Sequence, residues 1–419
     1  MVTSRVRIES IAAGGDGVGR SDGMAVFVPR AAPGDVLEAA LDVRGRFARG
    51  AIVSLLEPSA ARVDPPCIHY TRDRCGGCQL QHLAYDAQLD AKSSIVRESM
   101  RRIGKRDVDP VDVHASPSVW HYRTKLTLAL RWHGDRWIAG LHPFDNPGRV
   151  FQLETCLITD ERVLAVWRDV LAAAHLLPRA PRLRGAVRLT EDAASFVLEG
   201  ASHWPSAEAF ADHVPRVTAI WWEPTGGKRR RLVVDRRASA SSPGASEARV
   251  RSPDASFVQV NPTAAAVLHQ HIIALTLAHA PASVVDAYAG AGATAIALAD
   301  RGVEVTAIEL DADAGRWVAA QLPAASRSIV GRVEDELPGV LPADVVLLNP
   351  PRSGVDERVA ATLQSVPPRA IVYVSCNPAT LARDVQRLPG FRIATLTSFD
   401  MFPQTAHVET VCELVPEAA

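Results

Sequence analysis

Between Val6 and Leu56 apolar residues recur in short runs separated by glycine turns, and no 3.6-residue period develops. The turns are Gly14-Gly15-Asp16-Gly17-Val18-Gly19 and Pro33-Gly34-Asp35. The runs include Ala25 to Val28 and Gly50 to Leu56. Several short strands at this spacing predict a small OB-like β-barrel over residues 1–58, with Pro58 to Pro66 leading out of it. Residues 59–254 predict a mixed α/β section: a helix over Leu83 to Ile103, a strand over Lys125 to Trp132 and a helix over Arg162 to Ala174. The Ser-, Ala- and Pro-rich stretch at 237–256 predicts a mobile linker. Over residues 255–419 buried-strand runs alternate with helical segments, which predicts a doubly wound, Rossmann-like parallel sheet.

A chain of 419 residues exceeds one ordinary core, which agrees with this multidomain α/β division. No stretch approaches the roughly 20 apolar residues that cross a bilayer, and Met1 to Ser10 has no signal-peptide core. A cytoplasmic location without membrane partners is expected, and a monomer. The formal net charge of −1 gives no global attraction to a polyanion, so nucleic acid would be held by local patches. Two basic clusters qualify, each equally readable as a solvated surface: Arg97, Arg101, Arg102, Lys105 and Arg106, and Lys228 to Arg231 with Arg236 and Arg237.

Candidate chemistry gathers where the C-terminal strands end, the place where open α/β sheets bind ligands. Ser283 to Thr294 is a strand running through a glycine loop into a helix, with Asp286, Tyr288, Gly290 and Gly292 at the bend. The glycines let a ligand approach the backbone, and the helix start offers free donors. The next strand, Val303 to Ile308, ends in Glu309, an acid placed to bind ribose hydroxyls. A dinucleotide or S-adenosylmethionine fits, and Ala295 in place of the third fingerprint glycine favours the methyl donor. Strand Asp344 to Leu348 ends in Asn349-Pro350-Pro351-Arg352, and the run Ala370 to Val374 ends in Ser375-Cys376-Asn377. Glu409 opens a strand over Val408 to Val415 and could turn inward as a base, whereas His407 reads as an ordinary loop histidine.

Cys67, Cys75, Cys78 and the distant Cys156 account for four of six cysteines. The CxxC of Cys75 and Cys78 fits a redox pair, a zinc half-site or cluster ligation, and a lone fourth cysteine weakens the zinc-ribbon alternative. Four thiolates can hold a [4Fe-4S] cluster.

NPPRSG, YVSCNPAT, FDMFPQTAHVE and the upstream Ser256-Phe257-Val258-Gln259-Val260-Asn261 resemble the signature segments of the RNA 5-methyluridine methyltransferases. The barrel resembles a TRAM domain, and CGGCQLQH resembles the segment of iron-sulfur members, so the likeness covers nearly the whole chain. It implies Cys376 as nucleophile, Glu409 as base, and Gln259, Asp286, Tyr288, Gly290, Gly292, Glu309 and Asn349 at S-adenosylmethionine. It further implies Phe257 and Arg352 at the target base, and Cys67, Cys75, Cys78 and Cys156 on a [4Fe-4S] cluster. The expected partner is RNA: 23S ribosomal RNA by domain content, with transfer RNA as the alternative. Two departures stand out. Asn349 replaces the family's aspartate, which keeps a hydrogen bond and loses a charge, and the first loop reads Asp-Ala-Tyr-Ala-Gly-Ala-Gly without the usual cysteine. Asn349-Pro350-Pro351 also fits an amino-methyltransferase, but such enzymes place an aromatic residue where Arg352 stands. A metal-stapled RNA-binding protein without catalysis would give Cys376, Glu409 and Gln259 no common purpose.

Overall fold

The computed structural model describes residues 2–190, 193–226, 231–236 and 259–417. Phe257, the linker at 237–256, Lys228 to Arg230 and Arg237 lie outside the described residues.

Strands β1 (Val2–Ile11), β2 (Asp16–Ser21), β3 (Met24–Pro29), β4 (Val36–Arg44) and β5 (Phe47–Glu57) close into a barrel in the order β1-β2-β3-β5-β4. Alternation fills its interior with Val6, Ile8, Val26, Val28, Leu37 and Ala39. Closure leaves no free edge, so short strands suffice.

A seven-stranded sheet forms the middle. Its members are β7 (Lys125–His133), β8 (Arg136–Leu141), β9 (Phe151–Gln152), β10 (Leu183–Leu189), β11 (Ala194–Glu199), β12 (Val217–Glu223) and β13 (Arg231–Asp235). Leu126, Leu128 and Leu130 of β7 and Val163, Val166 and Trp167 of the helix Glu161–Ala172 share one core. Asp160 caps that helix, accepting the Arg162 N–H at 2.8 Å.

The C-terminal sheet joins β14 (Ser283–Ala287), β15 (Glu304–Glu309), β16 (Arg327–Val330), β17 (Val345–Leu348), β18 (Ala370–Ser375), β19 (Phe391–Phe399) and β20 (Glu409–Pro416). The order is β16-β15-β14-β17-β18-β20-β19, with β6 (Asp112–His114) added at the end beside β19. Strands β14 to β18 pair in parallel, as the periodicity predicts. Strand β20 is antiparallel to both neighbours. The turn from β19 to β20 is too short for the crossover that parallel pairing requires. This reversal brings Glu409, which opens β20, to the edge where the parallel strands end.

The segment from Tyr85 to His114 packs against this C-terminal sheet and leaves the middle one. The helix Tyr85–Ser99 and the π-helical turn Met100–Gly104 lie on the helix Pro378–Gln386, and β6 extends the sheet. The basic cluster here is partly neutralised: Arg101 and Arg102 both pair with Glu98, and Arg106 donates to the Phe391 carbonyl. Ile11 and Ala32 of the barrel segment, Leu80, Leu83, Ala91, Ile95 and Ala406 form a single buried cluster. The barrel, the cysteine segment and the loop before Glu409 therefore meet in one core. No helix among the described residues is long and apolar enough to cross a membrane.

Candidate active site

Five strands of the C-terminal sheet, β15, β14, β17, β18 and β20, each contribute one chemical group at the same edge. Ser375 of β18 pairs with Thr410 of β20, so the next step of the ladder sets Cys376 against Glu409. Leu348 lies beside both Ala287 and Tyr373, and Ala287 lies beside Ile308. Across the sheet the tips therefore follow in the order Glu309, Tyr288, Asn349, Cys376, Glu409 at about 4.8 Å per strand, with Cys376 and Glu409 two residues further out than the first three. Five residues scattered over more than a hundred positions gather at one edge of the sheet.

Cys376 is half-buried at the end of a strand whose six residues are all buried. Asn377 caps the helix Pro378–Gln386, its Oδ1 accepting the Ala379 N–H at 3.1 Å. The thiol thus sits at a helix N-terminus, where the peptide dipoles favour a thiolate. Burial and the Glu409 carboxylate push its pKa up, and the charge and hydrogen bond of Arg352 pull it back. Arg352 is exposed on the loop after β17, and Thr380 Oγ1 donates to its carbonyl at 3.1 Å. Glu409 is 4 % exposed. Burial raises its carboxyl to about 7, against the pull of Arg352, so near neutrality it can both accept and release a proton.

The glycine loop has the form an extended ligand needs. Tyr288, Gly290 and Gly292 all take positive φ, 66°, 57° and 77°, and a side chain on Gly292 would stand 2.5 Å from Val318 Cγ2. Glu309 Oε2 accepts the Gly290 N–H at 2.8 Å and its Oε1 accepts the Asp311 N–H at 2.8 Å. Asp286 is buried, and burial raises its carboxyl to about 7, the Glu309 charge adding to this and the Ala295 N–H opposing it. Gln259 is half-buried, two residues before Asn261, which caps the helix Pro262–Ala278. Asn349 is exposed at the tip of β17, its N–H donating to the Ala287 carbonyl at 3.3 Å.

Cys67, Cys75, Cys78 and Cys156 line one cavity of about 320 Å³. No group of three or more His, Cys, Asp or Glu among the described residues is gathered as for a single metal ion. Gln81 Oε1 and Thr159 Oγ1, of residues that also line it, are buried without hydrogen-bond partners. Burial pushes the Cys75 thiol up to about 11, and Cys78 and Cys156 upward also, with neighbouring thiols adding to each. Arg352, Thr405 and His407 also line this cavity.

The residues match known proteins over the whole chain. Relatives include an RNA methyltransferase of Listeria innocua, 31% identical over 97% of this chain and 96% of its own, and one of Thermosynechococcus vestitus, 32% identical over 98% of both. The family model described as tRNA (Uracil-5-)-methyltransferase matches residues 337–415, the segment that holds Arg352, Cys376 and Glu409. The chain belongs to this family. It is an RNA uracil-5-methyltransferase. The Pyrococcus abyssi tRNA (uracil-54, C5)-methyltransferase, solved with S-adenosyl-L-homocysteine, shares the fold: TM-score 0.71 at 24% identity, over 98% of this chain and 99% of that one.

Sequence reasoning placed Arg352 at the substrate and did not foresee its contact with the thiol. That contact depends on how the loop after β17 folds back on the helix Pro378–Gln386, which no spacing encodes.

Proposed function

We propose that this methyltransferase modifies a uridine of ribosomal RNA through a covalent bond between Cys376 and carbon 6 of uracil. The observation that carries the covalent reading is the placement of Cys376 opposite Glu409 at the sheet edge, with Arg352 beside both. Carbon 5 of uracil is a weak nucleophile. A thiolate adding to carbon 6 moves the electron pair of the 5,6 double bond toward carbon 5 and the adjoining carbonyl. Arg352 favours the thiolate. S-adenosylmethionine supplies the electrophilic methyl group that carbon 5 then takes up. Glu409 removes the proton still on carbon 5, the double bond reforms, and the thiolate leaves with its electron pair. In this reading Gln259, Asp286, Tyr288, Gly290, Gly292, Glu309 and Asn349 hold the donor, Phe257 stacks near the base, and the base leaves its helical stack to reach the strand tips.

In the same reading, Cys67, Cys75, Cys78 and Cys156 hold a [4Fe-4S] cluster. The ligand sulfurs of such a cluster surround a cube rather than a point, which suits four thiols around one cavity. The unpartnered Gln81 and Thr159 atoms beside them suit a polar occupant. Methyl transfer needs no electron, so these cysteines would act by stapling the segment that carries Leu80 and Gln81. Protein purified without air is expected to be brown and to lose its iron on Cys78→Ser. Stoichiometric zinc would overturn the assignment.

The ribosomal target rests on the N-terminal barrel together with the cysteine segment. Mapping 5-methyluridine in cells that lack the protein tests it. One ribosomal position is expected to lose its methyl group; loss confined to transfer RNA would reassign the substrate, and no loss in either would sink the proposal.

A further inference from the structure

Where the loop that delivers Glu409 begins, at Asp400, a buried ion pair joins it to another part of the chain. Lys92 of the helix Tyr85–Ser99 and Asp400 have fully buried side chains, and Lys92 Nζ donates to Asp400 Oδ1. Lys92 also donates to the Phe402 carbonyl at 3.2 Å, and Asp400 Oδ1 accepts the Phe402 N–H at 3.1 Å. The second carboxylate oxygen accepts the Tyr85 hydroxyl at 2.9 Å, and that same hydroxyl accepts the Ser116 N–H at 2.9 Å. Ser116 Oγ accepts Asn261 Nδ2 at 3.0 Å, and the same amide nitrogen reaches the Met401 carbonyl at 3.2 Å. Asn261 is fully buried, and its Oδ1 accepts the Ala264 N–H. One continuous chain of hydrogen bonds thus runs from the base's loop to the helix start that follows Gln259.

A buried ion pair is a poor way to gain stability, since desolvation consumes most of the attraction and an apolar pair of similar volume often does as well. What it supplies is direction, because every partner of Asp400 has one acceptable place. We propose that Asp400 is a positioning residue. Through Lys92 it sets the course of residues 400–408 and hence the place of Glu409, and through Tyr85, Ser116 and Asn261 it ties that place to the donor side of the site. The proposal rests on Glu409 being the base.

The test is the double variant Lys92→Met with Asp400→Leu, which removes the pair without leaving a buried charge alone. A melting temperature near that of the wild type is expected, with an unchanged KM for RNA and a kcat about 100-fold lower, the usual consequence of misplacing a reacting group by about an ångström. Covalent protein–RNA complex should accumulate during turnover, because thiol addition is intact and proton removal is slowed. A kcat within threefold of wild type, or a loss of activity without accumulating complex, would overturn the proposal. Tyr85→Phe deletes only the hydroxyl that joins Asp400 to Ser116 and should lower kcat about tenfold. If the double variant does not fold and Tyr85→Phe turns over normally, the proposal fails as well. Should the wild-type protein itself form no adduct with 5-fluorouridine RNA, the covalent reading falls, and Asp400 is judged on kcat and KM alone.

Discussion

Mixed with S-adenosylmethionine and RNA containing 5-fluorouridine, the wild-type protein is expected to end as a stable protein–RNA complex, and Cys376→Ala is expected to form none. Fluorine cannot leave carbon 5 as a proton does, so the step assigned to Glu409 is blocked after the thiol has added and the methyl group has moved. The complex should survive denaturation and migrate as a single slow band in a gel. On ordinary RNA, Cys376→Ala should lower methylation by at least ~10⁴-fold, the scale of loss when a covalent nucleophile is removed. Stability should hardly change, because the thiol is half-buried at a strand tip and not part of a core cluster. A complex that persists in Cys376→Ala would remove this residue as the nucleophile. The neighbouring Cys412 offers an internal control: it is fully buried in the core between β18 and β19, and Cys412→Ala should cost stability and leave adduct formation intact.

Glu409→Gln is expected to trap the complex on ordinary RNA. Its amide fills the same space and cannot take the carbon 5 proton, so the enzyme stalls with the methyl group already transferred. Free turnover in this variant would show that another base serves. The pH dependence follows from burial, which raises this carboxyl to about 7. Below that pH the carboxyl is protonated and the complex should accumulate even in the wild type; as pH rises through 7 the base ionises and turnover should increase. Stability runs the other way. The folded protein holds this proton up to about 7, whereas the unfolded chain releases it near 4.5. Ionisation therefore costs the fold as pH rises between those values, on the order of 3 kcal/mol once complete. Glu409→Gln should accordingly melt higher than wild type at pH 8 and little differently at pH 4. A carboxylate kept at a net cost to stability is what a working base in a dry site requires.

Sequence alone reached most of the strand tips because each is marked by a local rule. The glycine loop needs positive φ, which only a few residue types accept without strain. The Asn-Pro after Cys376 marks a helix start, and the apolar run before it marks a buried strand. The barrel was legible from its turns, and β14 to β18 from their alternation with helices. Spacing marked Cys75 and Cys78, the resemblance added Cys67 and Cys156, and only folding brings Cys156 round to the cavity with the other three.

What folding decided is the set of contacts between segments far apart in the chain. No period in the sequence says that β20 runs antiparallel, and that reversal is what turns Glu409 toward Cys376. Nor does any motif connect Lys92 with Asp400, 308 positions apart, or assign the helix that bears Lys92 to the C-terminal sheet. Local preferences act over a few residues and so determined the identities of the reactive groups. Their distances and charges were set by which surfaces had to be buried together, and that depends on the whole chain at once.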